Sequence, residues 1–155
     1  MSAAEVIEQI KGLPSTGVYN WVQSQTSPLR IYSAGLRPYG LYGPNWSNTL
    51  FYDLHSTTLT PVNAGKNRIS AIVVRFKPDL IIVSVDPHIG AGSEKPAIVD
   101  WIRTQPSCFE QVFSDQTVSV FRVKAGAGDK LTDQLPPGYQ LSMDDPIQLF
   151  QETAN

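Results

Sequence analysis

The run at residues 79–86, DLIIVSVD, limits the possible folds more than any other stretch of the chain. Its aliphatic residues are consecutive rather than alternating, so both faces of the extended chain must be covered. A strand of that kind belongs inside a parallel sheet with helices above and below. The flanking sequence supplies such covers. Over residues 64–76, Ile69, Ile72, Val73 and Phe76 recur at helical intervals until Pro78 ends the run. Over 93–105, Ser93 is placed to cap a helix whose apolar face is Ala97, Ile98, Trp101 and Ile102, with Pro106 as its stop.

Further strands follow from local pattern. Residues 29–34 are apolar between Pro28 and Gly35, and residues 49–54 are β-branched and aromatic. The loop between them is long enough to cross one end of a sheet, so the two need not form a hairpin. Residues 109–113 and 118–123 alternate in polarity across a short polar connection, which predicts a closing antiparallel hairpin. Near the N-terminus, Val6, Ile7 and Ile10 predict a short helix over 2–11, and Val18, Trp21 and Val22 a second over 17–25. The expected fold is therefore α/β: a three-layer Rossmann-like sandwich with a small, mainly parallel sheet and a C-terminal antiparallel hairpin. Residues 1–124 form one domain in this reading. Residues 125–155, with the turn-like LPPGYQL, read as a peripheral extension carrying a short helix near 147–151.

A chain of 155 residues with 41% hydrophobic and 17% charged residues is composed like a globular domain. Its net charge of −2 and lack of basic runs give no electrostatic footprint for nucleic acid. The longest apolar runs, 71–74 and 80–83, fall far short of the ~20 residues that span a bilayer. Glu5 and Glu8 occupy the place of a signal peptide's apolar core. The single cysteine, Cys108, excludes an internal disulfide and reads as a buried small hydrophobe.

In α/β sheets, ligands bind beyond the carboxyl ends of the central strands. Here that edge is expected to carry Ser33, Gly35 and Arg37 after the first strand, and Ser84, Asp86 and His88 after the third. Glycines 35, 40 and 43 miss the dinucleotide spacing and precede a strand, so no cofactor is implied. Residues 90–93 could hold an anion at a helix start, but Glu94 already places negative charge there and favours simple capping. Asp86 and His88 could exchange a proton, yet no nucleophile lies nearby in sequence. His55 and His88 lack metal-ligand spacing. Asn45, Trp46 and Ser47 match the glycosylation sequon, a pattern frequent by chance. Tyr39, Tyr42, Trp46, Phe51 and Tyr52 suit either a sugar-stacking platform or the covering of a sheet edge, and the second is favoured.

The segment RPYGLYGPNWSNTLFY at 37–52, the strand DLIIVSVD and the closing run WIRTQPSCFEQVFSDQTVSVFRV together resemble the C-terminal soluble domain of polytopic bacterial glycosyltransferases. These are lipid-phosphate-sugar-dependent membrane enzymes similar to the protein mannosyltransferases, with related membrane proteins of unassigned function. The resemblance spans about residues 17–124, and the long tail and lack of membrane spans depart from it. It implies a non-catalytic module on the extracytoplasmic face of a bacterial membrane. Its partners would be the membrane-embedded portion of the same polypeptide and a sugar or lipid-linked sugar. No catalytic residue carries over, because the family's acidic residues lie in its membrane portion. The implied ligand surface is Arg37, Tyr39, Tyr42 and Asn45 beside Asp86 and His88. The alternatives are a free-standing α/β small-molecule-binding protein and a protein-interaction domain.

Overall fold

A computed structural model describes residues 16–25, 28–36, 40–42, 47–53, 59, 61–84, 97–115, 117–141 and 149–153. The elements in chain order are α1 (Thr16–Gln23), β1 (Arg30–Ala34), β2 (Thr49–Asp53), α2 (Val62–Phe76), β3 (Leu80–Ser84), α3 (Ile98–Arg103), β4 (Phe109–Ser114), β5 (Val118–Val123), α4 (Ala127–Thr132) and β6 (Leu149–Thr153). The helix expected at 2–11 lies outside the described residues, as does the Ser93 cap.

The strands form one sheet in the order β4-β5-β3-β1-β2-β6. Its centre is parallel: Ile31 of β1 lies opposite both Leu50 of β2 and Leu80 of β3. β3 is buried along its whole length, as its continuous aliphatic run requires. The long connection from β1 to β2 joins parallel neighbours. The chain then crosses through α2 to β3 on the other side of β1. β5 and β4 extend the sheet antiparallel beyond β3, and β6 pairs antiparallel with β2.

Alternation along the strands divides the interior into two layers. Tyr32, Phe51, Ile81, Val83 and Phe121 face α2, α3 and α4, where they meet Ile69, Ile72, Val73, Ile98, Ile102 and Leu131. Ile31, Leu50, Leu80, Ile82, Val118 and Val120 face α1 together with Leu36, Leu41 and Tyr42. The protein is thus a three-layer α/β sandwich. Each fully buried aliphatic side chain contributes about 1.5–3 kcal/mol of transfer free energy, so the stripe on α2 explains both that helix and its docking.

Two departures from the expected pattern have local causes. A bulge between Gln111 and Phe113 shifts the alternation of β4. Phe109 therefore packs on the α2 face while Phe113 packs on the α1 face. The second departure is larger, since the C-terminal segment is not peripheral. Ala127 and Leu131, one turn apart on α4, are buried in the α2-face core. Residues 149–153 are a strand, not the expected short helix, because the open edge of β2 offers a complete row of backbone partners. Cys108 is buried among the same core residues, and no helix among the described residues is long and apolar enough to cross a membrane.

Candidate functional site

β1, β2 and β3 end together at Ala34, Asp53 and Ser84, which makes this the carboxyl edge of the parallel strands. Gly35 closes it with a positive φ of 81° and donates its N–H to the Asp53 carbonyl at 3.1 Å. Only glycine adopts that conformation freely.

On the α2 face of this edge is a buried polar cluster. Asp53 is fully buried, and its carboxylate accepts three hydrogen bonds. Tyr32 Oη donates to Oδ2 at 2.6 Å, Arg68 Nε donates to Oδ2 at 2.9 Å, and Arg68 Nη2 donates to Oδ1 at 2.7 Å. Tyr32 reaches Asp53 because it lies on the same face, two residues back along the neighbouring strand. Arg68 reaches it from the second turn of α2, just before the apolar stripe, and is 6% exposed. The fork geometry is the strong form of a charge-assisted pair.

Burial pulls the protonation equilibrium of the Arg68 guanidinium down, while the hydrogen bonds and charge of Asp53 push it up, and the balance lies above the ordinary arginine range. Arg68 is therefore a fixed cation. Because its folded value is raised, its contribution to stability is complete below the unfolded value and is lost only as pH rises through the folded one, beyond neutral conditions. The guanidinium has five N–H donors, of which Asp53 takes two. Nη1 makes no hydrogen bond to a described residue.

On the α1 face of the same edge, Ser84 Oγ donates to the Ala34 carbonyl at 3.2 Å, while the buried Ser33 Oγ has no partner among the described residues. The connection leaving β1 packs down here. Leu36, Leu41 and Tyr42 join Tyr19 in the core, and Gly40 lies so close to the Tyr19 ring that a Cβ there would collide with it. Asn48 fastens the far end of this connection: its Nδ2 donates to the Leu41 carbonyl at 2.9 Å, and its Oδ1 accepts from the Leu29 N–H at 2.8 Å.

Of the residues expected to bind ligand, Tyr42 is 7% exposed and is a packing residue of the α1-face core. Phe51 is also core, which supports the packing reading for these two aromatics. Arg37, Tyr39, Asn45, Asp86 and His88 lie outside the described residues, as do His55, Trp46 and residues 90–93. The strands they follow are adjacent, however, with Ala34 of β1 opposite Val83 of β3. Ser33, Gly35 and Ser84 stand at the expected edge. The Tyr32–Asp53–Arg68 cluster was not expected from sequence; its only local signal is an aspartate closing an apolar, aromatic strand. Among the described residues, no three His, Cys, Asp or Glu side chains converge as metal ligands. Compared with protein-family models, curated proteins and solved structures, the chain matches none.

Proposed function

We propose that this chain is a non-catalytic soluble domain of a membrane glycosyltransferase-like protein, working on the extracytoplasmic side and helping to bind a sugar or acceptor. The observation that carries this reading is the adjacency of β1 and β3 in a parallel sheet. The connections bearing Arg37, Tyr39 and Asn45, and then Asp86 and His88, leave neighbouring strand ends. That is the topological position at which α/β sheets bind ligands. The base beneath them, with Gly35 tied to Asp53 and Ser84 tied to Ala34, suits binding better than chemistry, since among its described residues no nucleophile is paired with a base.

The test is an NMR titration of the chain with simple sugars, polyprenyl-phosphate analogues and nucleotides. Saturable shifts of the Gly35, Leu36 and Ser84 amides with a sugar or lipid-linked sugar are expected. Arg37→Ala should weaken that response about tenfold, the effect of losing one charge-assisted hydrogen bond. Tyr42 is left intact, because replacing a buried ring tests folding instead. A folded sample giving no response to any of these compounds would end this reading.

A further inference from the structure

We propose that the outer edge of β2 is a strand-acceptor site, filled by the chain's own β6 and open to the β6 of a second copy, so that two chains pair by exchanging this strand. This pairing is independent of the ligand proposed above, because it uses the side of β2 that faces away from β1.

The two outer strands of the sheet are built differently. β4 carries the bulge between Gln111 and Phe113, exposed Glu110 and Gln111, and an ion pair from Glu110 to Arg122 at 3.8 Å. Bulges and charges are the devices by which a free edge resists pairing with another chain. β2 has no such protection. Its register with β6 is regular from Thr49 to Asp53, Leu50 and Phe51 are fully buried, and its charged residue, Asp53, is committed to Arg68. A strand this apolar, with a regular row of backbone donors and acceptors along its outer side, has to be covered, and β6 is what covers it.

The cover is attached to the body mainly through that one edge, since the principal packing partner of β6 is β2. α4, which precedes it in the chain, is anchored in the α2-face core by Ala127 and Leu131, and Leu141 packs against the same core. Residues 142–148 lead from there to Leu149. On pairing, β6 exchanges hydrogen bonds with water for hydrogen bonds with β2, while the backbone entropy of ordering its residues is lost in full. β6 therefore opens more readily than β1 or β3, each of which has a strand on both sides.

A second copy is the occupant that this edge already fits. The β6 of another chain carries the same residues, so it reproduces the antiparallel register, with Glu152 opposite Leu50 and Phe150 opposite Tyr52. Exchange of an identical element restores the bonds that its departure breaks, which leaves the cost of bringing two chains together and makes pairing depend on concentration. Reciprocal exchange also fills both acceptor edges at once, so it closes a two-fold dimer rather than starting an open chain.

The experiment uses the full chain. In the wild type, amide hydrogen exchange should run at least about tenfold faster in β6 than in β3. On concentration, light scattering should show a dimer, and contacts between β2 and β6 of differently labelled copies should identify the exchanged strand. Phe150→Pro combined with Gln151→Pro removes an N–H that points at β2, because neighbouring residues of a strand donate to opposite sides. In that double variant, unlabelled wild-type chain or a synthetic peptide of residues 147–155 should cause saturable shifts of the Thr49–Asp53 amides. The peptide carrying the same two prolines should cause none. If the double variant does not fold, the wild-type exchange and dimer measurements still decide. A monomer at every concentration, with β6 amides as slow as those of β3, would overturn the proposal, as would contacts confined to β4. Peptide binding without pairing of whole chains would overturn the second copy as occupant.

Discussion

At the amino end of the parallel strands, Arg30 is exposed and gives its Nε and Nη2 to the backbone carbonyl of Phe76 at 3.0 and 2.6 Å. At the carboxyl end, Arg68 is buried and gives the same two nitrogens to the Asp53 carboxylate. Aspartate differs in parallel, since Asp79 accepts the Arg30 backbone N–H at 2.9 Å while Asp53 serves side chains. The amino end thus uses polar side chains to fasten backbone where elements enter the sheet, which any sheet of this kind needs. The carboxyl end instead sinks a charge pair into the core, where desolvation offsets much of the attraction. Fastening alone does not explain that choice, so the carboxyl end is where function is to be sought.

The largest expected effect is at that pair. Asp53→Ala leaves the Arg68 cation buried without its partner and should cost about 3–5 kcal/mol in denaturant unfolding. Replacing both, with Asp53→Leu and Arg68→Met, should restore stability to within about 1–2 kcal/mol of wild type. A double variant as unstable as the single one would mean that the pair is structural, and the contrast between the two ends would collapse.

Asn48 comes next and probes the amino end. Asn48→Ala removes both bonds that bridge the Leu29 N–H and the Leu41 carbonyl, with an expected loss of about 2–3 kcal/mol. The change lies away from the Arg68 pair, so the guanidinium resonances of Arg68 should be unmoved in the folded fraction. Movement of those resonances would show that the two ends are coupled through the connection from β1 to β2.

How much of this could be read from sequence depends on whether the cause is local. β3 was legible because four consecutive aliphatic residues leave no other burial, and the hairpin because alternation and a short polar turn define it within about fifteen residues. The turn itself is fixed by Asp115, whose Oδ1 accepts from the Thr117 and Val118 N–H groups. The Arg68 pair was not legible, since an arginine beside an apolar stripe reads as the helix's solvent border and its partner lies fifteen residues away on another element. β6 was illegible for a related reason: LFQET has no decisive period, and its strand state comes from the unpaired edge of β2. α4 escaped because a two-residue apolar stripe, Ala127 and Leu131, is too short to stand out from a glycine-rich run.

Gly65→Ala returns to the carboxyl end with a smaller effect. A Cβ at this position would collide with the Leu59 carbonyl, a backbone group that cannot rotate aside. Overpacking of this kind costs about 1–3 kcal/mol, offset by up to about 1 kcal/mol of improved helix propensity. A net loss of about 1–2 kcal/mol in thermal or denaturant unfolding is expected, with the start of α2 displaced. Unchanged stability would mean that the helix start can shift freely, which would remove the rigid base argued for this edge.

The smallest effect belongs to Arg30. Its guanidinium caps the last turn of α2 through the Phe76 carbonyl and lies 4.8 Å from the centre of the Phe51 ring, two favourable contacts. The guanidinium that makes both is itself exposed, so water competes for its donors and salt screens its charge. α2 also has a second ending, since Lys77 turns the chain with a φ of 51° and donates its N–H to the Val73 carbonyl at 3.1 Å. Arg30→Ala should therefore cost less than about 1 kcal/mol, and the loss should shrink further as salt is raised. A loss approaching that of Asp53→Ala would place comparable energy at the two ends, and exposure would then no longer distinguish the arginine that fastens backbone from the one buried against a carboxylate.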